Sequence, residues 1–256
     1  MRDFYADLHI HLGANWRGGP VKVTASPRMT LEAILTTARA EKGLDLVGIV
    51  DTLSPLVQEE LHHLCRAGLM RELPGGGLRY KNGITLIPGV ELEVREGAHI
   101  ISYFPDLESL TGFTKGVSSL ITNINLSTQR INLILEDLVA VTAEHGGITI
   151  PAHAFTPHKG VYGHATRRLQ YLFSAGIPAS LPGLELGLSA DTSMADRIAE
   201  TASLTFLSNS DAHSLGKISR EYNLITCREA SWEELVAVLA GRGGRRVKAN
   251  YGLDPR

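Results

Sequence analysis

The chain has 256 residues, long enough for one large α/β domain or two small ones. Its 43% hydrophobic and 20% charged content is that of a globular protein, and its net charge of −2 excludes a global electrostatic footprint for nucleic acid while leaving room for a local basic patch. The two cysteines, Cys65 and Cys227, exclude a disulfide framework or a zinc-thiolate site, no run approaches the ~18 apolar residues of a membrane span, and the start lacks the apolar run of a signal peptide, so the expected location is the cytoplasm.

Residues 4–8 read as a short strand that runs into Asp7-Leu8-His9-Ile10-His11. Residues two apart on a strand point to the same side, so His9 and His11 would present two imidazoles to one point. That is what a divalent metal requires of a strand; an ordinary pair of strand histidines is the blander reading of this motif taken alone. Residues 30–41 have helical spacing, with Thr30 at the N-cap and Gly43 as the stop. The apolar run at 46–50 is that of a buried parallel strand. A helix over 55–67 opens with Pro55 near its first turn. Pro74 and the glycines at 75–77 mark a turn. Strands are predicted at 84–94 and 98–104, then a helix at 107–117. Residues 128–145 are predicted to form the longest helix, ended by Gly146-Gly147, with a strand at 148–151. A helix at 165–173, a strand at 183–186, a helix at 192–202, strands at 204–208 and 223–226 and a helix at 231–240 complete the run.

This alternation argues for a parallel sheet or barrel covered by helices, in one domain. In α/β barrels the chemistry sits at the C-terminal strand ends. There the chain carries His9 and His11, Asp51, Glu91, His99, His153, Asp211 and His213. Any one could be a solvated loop residue. Eight His, Asp and Glu side chains at one face are poorly explained that way. Imidazole mixed with carboxylate suits Zn, Mn or Fe, and the number of ligands exceeds the need of one ion.

These motifs, in this order, resemble the PHP (polymerase and histidinol phosphatase) family of metal-dependent phosphoesterases. The resemblance rests on Asp7–His11, Gly48–Thr52, Gly89-Val90-Glu91 with His99, Pro151-Ala152-His153 and Ser210-Asp211-Ala212-His213. It implies a distorted (β/α)7 TIM-like barrel over residues 1–250. It also implies two divalent ions: one held by His9, His11, Glu91 and Asp211, the other by Glu91, His99 and His153. The family usually has further histidines after its first motif and in its second. Here the neighbours of Trp16 contain none, and Asp51 is followed by Thr52. Only His213, with Asp51 as an alternative, is left for at most a weak third ion.

A narrower resemblance is to the endonuclease Q group, through residues 4–11, Ser127–Ile131, Pro151–Pro157 and Ser208–Tyr222. That group cuts DNA 5′ of deaminated bases such as uracil and hypoxanthine. Its members continue into a zinc-binding and helical region, and residues 251–256 resemble the start of that junction, so the extension is expected to be truncated or absent. The implied partner is DNA with deaminated bases; the alternative is a phosphate-ester small molecule, in a phosphatase of the histidinol-phosphatase type.

Two ions a few ångströms apart can activate water and stabilise a leaving oxygen. Asp211 is the candidate catalytic residue, holding a metal and orienting or deprotonating the attacking water. Asp7, on the histidines' face, is expected to orient an imidazole. Lys159, Lys217 and Arg220 are the candidates for binding substrate phosphate. The basic run Arg242, Arg245, Arg246 and Lys248 reads as a solvated tail or as a DNA-backbone contact. His62 and His63 read as surface residues, His145 as a helix cap, and Cys65 as a buried apolar filler.

Overall fold

The structure is a computed structural model, and it describes residues 1–252. The first strand, β1 (Arg2–Ile10), is buried from Ala6 to its end. It leads through an irregular connection to α1 (Leu31–Ala40), where Thr30 caps the helix by accepting from the Ala33 amide at 3.4 Å. β2 (Leu46–Ile49) is buried throughout, as its uninterrupted apolar sequence requires. Gly48 lies so close to β1 that a Cβ there would come within 2.2 Å of the Leu8 carbonyl oxygen. α2 (Pro55–Arg66) starts on Pro55, whose missing N–H costs nothing in a first turn. β3 (Met70–Glu72) and β4 (Leu78–Tyr80) form a hairpin where the sequence predicts only a turn.

β5 (Thr85–Glu93) and β6 (His99–Tyr103) are antiparallel, because the connection through Gly97 is too short for a crossover helix. α3 (Leu107–Val117) follows, capped by Asp106 on the Ser109 amide at 2.8 Å. α4 (Leu135–Glu144) is ten residues long, and His145 occupies its C-cap. β7 (Ile148–Pro151), β8 (Gly183–Glu185), α5 (Thr192–Ala195), β9 (Thr205–Leu207), β10 (Tyr222–Cys227), α6 (Trp232–Leu239) and β11 (Arg246–Tyr251) complete the described chain.

Three predicted helices are shorter than expected. The one over 128–145 begins only at Leu135, because residues 129–131 run beside β5 instead: the Glu93 amide donates to Gln129 at 3.0 Å and the Ile131 amide to Glu93 at 2.9 Å. The one over 165–173 is replaced by a π turn (Val161–Ala165) and a 3-10 turn (Leu169–Leu172), with Glu200 accepting the Leu169 and Gln170 amides. The one over 192–202 breaks after Ala195, where the Thr201 hydroxyl lies 3.1 Å from the Ala195 carbonyl and 2.7 Å from that of Ile198.

The sheet is mixed, not parallel. Its order is β11-β10-β1-β2-β5-β4-β3, with β6 paired to β5 and β7 to β6; β8 and β9 form a separate parallel pair. The expected closed (β/α)7 barrel is not seen as a continuous ladder among the described residues. Single contacts take its place. Ala154 N–H donates to the Glu185 carbonyl at 2.8 Å beside β7 and β8, and His11 N–H to the Ala212 carbonyl at 3.1 Å between β1 and the chain after β9. The architecture is therefore α/β with a curved mixed sheet and helices outside it.

Two apolar clusters hold this arrangement. One lies between the sheet and α1, α2, α3 and α4, around Ile34, Leu35, Val57, Leu61, Phe104 and Phe113. The other lines the inner face, where Phe4, Leu8, Ile87, Ile101 and Ile150 meet Trp232, Leu235 and Leu239 of α6. Within the second, Asn223 ties strands together. Its Nδ2 donates to Ser208 O at 2.8 Å and Asn209 Oδ1 at 3.0 Å, and its Oδ1 accepts from the Ser208 amide at 2.8 Å.

The expected domain boundary at residue 250 falls inside β11, whose last residue, Tyr251, pairs with Tyr222; residues 253–256 lie outside the described residues. Part of the basic tail is paired internally: Arg245 holds Glu234 through two nitrogens at 2.7 and 2.5 Å, and Lys248 holds Asp3 at 2.5 Å. Cys65 is half-buried rather than fully buried, at the edge of a 760 Å³ cavity shared with Met70, Glu72, Leu107 and Lys115. His63 is exposed and packs its ring 5.0 Å from that of Trp16 at a tilt of 36°.

Two predictions follow from this packing. Asn223→Ala leaves several buried donors and acceptors without partners and should lower stability by roughly 2–4 kcal/mol, read as a shift of the urea midpoint. Glu60 is buried on α2 and accepts the Trp16 amide at 3.2 Å; burial lifts its carboxyl to about 7, from 4.5. The neutral form is thus favoured in the folded state. Its contribution to stability is full below about pH 4.5 and is lost as pH rises through 7. Glu60→Gln should therefore gain melting temperature relative to the parent between pH 5 and 8, with the gap widening as pH rises; a constant gap would refute this.

Candidate metal centre

Alternation along β1 puts the His9 and His11 rings on one side, and their Nε2 atoms stand 3.2 Å apart. Each ring is fixed from behind. His9 Nδ1 donates to Glu185 at 3.0 Å, and His11 Nδ1 donates to Asp51 at 3.0 Å. With both Nδ1 protons committed, the two Nε2 atoms face each other, so the space between them is filled either by a proton or by a metal ion. Such a pair calls for a cation between them. Asp211 Oδ1 lies 3.5 Å from His9 Nε2 and 3.2 Å from His11 Nε2, which completes a triad of donors.

A second triad comprises Glu91, His99 and His153. Glu91 Oε1 lies 3.2 Å from His99 Nδ1 and 3.6 Å from His153 Nε2. The same oxygen is 3.5 Å from His9 Nε2, and Oε2 is 3.5 Å from His11 Nε2, so Glu91 stands between the triads. His153 is oriented by Thr156, whose hydroxyl lies 3.0 Å from Nδ1. The donor set fits divalent ions of borderline hardness, with imidazole and carboxylate and no thiolate.

Electrostatics follow the geometry. Burial works against a charged His9, but the carboxylates of Glu185 and Asp211 outweigh it and lift the imidazole to about 10. Burial alone would push Glu91 up, yet the Lys22 ammonium and the surrounding imidazoles hold it well below the usual carboxylate range. Asp211 is likewise held low by His9 and His11 against the effect of burial. Its side chain is 33% exposed, so it reaches from the donor cluster towards solvent.

The other predicted residues fall in distinct places. His213 packs its ring 4.5 Å from that of His11, and its Nδ1 donates to the Asp211 carbonyl at 2.9 Å. Asp51 is engaged by protein groups: its oxygens meet His11 Nδ1, the Leu12 amide at 2.5 Å and the Ser127 hydroxyl. Asp7 orients no imidazole. It accepts the backbone amides of Ser210 at 3.0 Å and Ser219 at 2.9 Å, so it pins the loop that carries Asp211, and burial raises its carboxyl to about 6. Lys159 is tied to Glu93 at 2.7 Å, Arg220 Nε to the Ser210 carbonyl at 2.7 Å, and Lys217 is exposed.

Glu185, Asn209, Lys22, Thr128 and Thr156 are the site residues that the sequence reading omits. Glu185 carried a usable signal: Gly183-Leu184-Glu185-Leu186 repeats the pattern of Gly89-Val90-Glu91-Leu92, an acid inside an apolar strand. Lys22 and Thr128 lie in irregular segments with no periodicity. The backbone here is unusual. The described non-glycine residues with positive φ are Thr128, His153, Lys159, Asp211 and Ser219, all on loops around the centre. Such conformations cost about 1–3 kcal/mol each and persist where neighbours over-determine them. At Gly187, also at positive φ, a Cβ would come within 2.7 Å of the His153 Cβ, so glycine lets this loop close on the ligand.

A cavity of about 200 Å³ opens beside the donors, lined by His153, Thr156, His158, Leu188, Asn209 and Asp211 among others. The 760 Å³ cavity beside Cys65 shares no residue with either triad.

Glu185→Gln should weaken divalent-ion affinity about 10–100-fold, because the group that fixes His9 is altered while every donor remains. Metal titration followed by fluorescence or calorimetry measures this, and an unchanged affinity would remove Glu185 from the centre.

Similarity to known proteins agrees with the motifs. A family model described as PHP-associated matches residues 191–242. The uncharacterised protein YqxK of Bacillus subtilis is 42% identical over 261 aligned residues, spanning 100% of this chain and 66% of that protein. The crystal structure of the lesion-specific endonuclease PfuEndoQ from Pyrococcus furiosus superposes with a TM-score of 0.86 at 32% identity, over 100% of this chain and 60% of the other. An endonuclease Q complex with a 27-mer duplex substrate bearing an abasic lesion at the active site gives the same score and identity. The chain thus spans 60–66% of the length of these relatives. In its motifs the chain resembles the PHP proteins, and over its whole described fold it is similar to endonuclease Q.

Proposed function

We propose that the chain is the metal-dependent phosphoesterase part of an endonuclease Q-like hydrolase, cutting DNA 5′ of deaminated bases. The observation that carries this reading is the pair of donor triads meeting at Glu91. His9, His11, Glu91 and Asp211 would hold one ion, and Glu91, His99 and His153 the second, with Zn, Mn or Fe all suited to the donors. His213 would serve at most a weak third site. When bound, the ions supply a water activated for attack and charge stabilisation for the leaving oxygen of a phosphoester.

The remaining work falls to side chains. Asp211 is held so far below the usual carboxylate range that it is a weak base, which supports an orienting role towards the attacking water over proton removal. Lys217, exposed beside the Asp211 loop, is a candidate phosphate contact; Lys159 and Arg220 would need to leave Glu93 or the Ser210 carbonyl to join it. The cavity of about 200 Å³ is smaller than the ~300–1,000 Å³ of sites that engulf whole small ligands. It has room for one nucleotide-sized fragment or less. DNA is the substrate suggested by the abasic duplex seen with the structural relative. The single contacts between β7 and β8 and between β9 and β1 support reading the sheet as a distorted barrel with two seams. No helix among the described residues is long and apolar enough to cross a membrane, and the free Cys65 and Cys227 suit a cytoplasmic setting.

The test is cleavage by Mn- or Zn-loaded protein of end-labelled duplexes carrying uracil, hypoxanthine or an abasic site, beside an undamaged duplex, p-nitrophenyl phosphate and its bis ester. Nicking 5′ of the deaminated base with hydrolysis of the bis ester is expected. Turnover of the monoester alone would defeat the reading. Asp211→Ala should lower the rate at least ~10²-fold with an unchanged circular dichroism spectrum; near-normal turnover would exclude Asp211 from the chemistry.

A further inference from the structure

The Oε2 face of Glu91 is occupied by a cation that belongs to the chain itself. Lys22 lies in the connection between β1 and α1, with its side chain only 14% exposed. Its Nζ is 3.2 Å from Glu91 Oε2 and within a short hydrogen bond of the Thr128 hydroxyl, which itself donates to Glu91 Oε2 at 2.6 Å. The position is built from both sides. The Lys22 amide donates to Leu12 O at 2.9 Å, one residue past His11, and the Ser127 amide donates to Val21 O at 2.9 Å. Thr128 is β-branched and has φ 52, a conformation such residues avoid, and it is held there with its hydroxyl between Lys22 and Glu91. Beside it, the Ser127 hydroxyl reaches Asp51. The Oε1 face of the same carboxylate is different, since it meets the imidazoles of His9, His99 and His153. Glu91 is thus asymmetric: three imidazoles meet Oε1, whereas Oε2 meets His11 Nε2 at 3.5 Å together with the resident ammonium and the Thr128 hydroxyl.

We propose that the Lys22 ammonium is the third cation of this centre: it fills the Glu91 Oε2 face near Asp51 and Thr128, where a further divalent ion would otherwise bind, and thereby fixes the complement at two ions. This rests on the two-ion reading above. An ammonium in contact with Oε2 repels a divalent ion at the same oxygen and supplies the neutralising charge that the ion would bring. It is tethered by the chain, so a chelator cannot remove it. The irregular β1–α1 connection and the strained 127–128 turn are the structural means of delivering it.

The experiment counts ions. Chelator-stripped full chain is titrated with Mn²⁺, freed of excess metal, and measured by inductively coupled plasma mass spectrometry, with electron paramagnetic resonance of the bound Mn²⁺ alongside. The parent should saturate at two ions per chain, and Lys22→Ala should take up a third with a changed resonance spectrum. Should Lys22→Ala fail to fold, Lys22→Gln keeps polar contact with Thr128 and Glu91 without the charge and should show the same gain. Saturation of the folded variant at two ions would overturn the role of Lys22 and leave the two-ion reading standing. Three ions in the parent would overturn the proposal directly. None or one in the parent would overturn both.

Discussion

A carboxylate buried among other charges sets the terms for this molecule. Glu91 is 2% exposed, and every polar atom it meets is a donor or a would-be cation: four imidazoles, one ammonium and one hydroxyl. A lone carboxylate in such a place costs several kcal/mol, and only excellent pairing offsets that. The partners come from separate parts of the chain: β1 supplies two rings, β6 and the end of β7 one each, and two irregular loops bring Lys22 and Thr128. The topology that brings β1, β2, β5, β6 and β7 side by side is therefore also the condition for keeping Glu91 ionised in the interior.

Behind the donors lies a layer that decides which atom of each ring faces inward. Glu185 and Asp51 take the Nδ1 protons of His9 and His11, and Thr156 meets Nδ1 of His153. That layer is continuous with the framework. Asn223 donates to Asn209, which donates to Glu185 at 3.1 Å and accepts the Leu8 amide at 3.0 Å. A chain of buried amides thus runs from β10 to the back of His9, so the strand register and the ring orientation share the same hydrogen bonds. Buried networks of this kind rigidify when fully satisfied.

The parts legible in the sequence are those governed by period. Alternation along β1 predicts that His9 and His11 share a side, and the apolar runs before Asp51 and His153 predict strand ends; Glu91, expected at a strand end, lies inside β5, and His99 opens β6 rather than ending a strand. Errors occur where tertiary contacts override period. Residues 129–131 pair with β5 rather than continue a helix, and past Ala195 the Thr201 hydroxyl bonds the carbonyls of Ala195 and Ile198 where a continuing helix would use backbone amides. The antiparallel turn of β5 into β6 was implicit in a connection too short for a crossover. Asp51 could be placed near the centre but not given its role, since a carboxylate that fixes a ring and one that binds an ion look alike in sequence. Lys22 could not be found at all, because its position is set by two loops meeting across more than a hundred residues.

The charge balance bears on how such a centre, on the proposed reading, would meet a phosphate ester. Asp51, Glu91, Glu185 and Asp211 lie within one hydrogen-bonded cluster, and Lys22 is the single ammonium bonded to Glu91. With neutral imidazoles the cluster is strongly negative, in surroundings where like charges interact far more strongly than in water. An anionic phosphate is repelled from it. Without metal, part of this charge is balanced by protons held on the imidazoles, His9 above all; bound divalent ions would displace those protons and supply the balance in their place. On that reading the negative well that would draw divalent ions would also make an anionic substrate's approach depend on them, a coupling of metal loading to substrate binding through electrostatics.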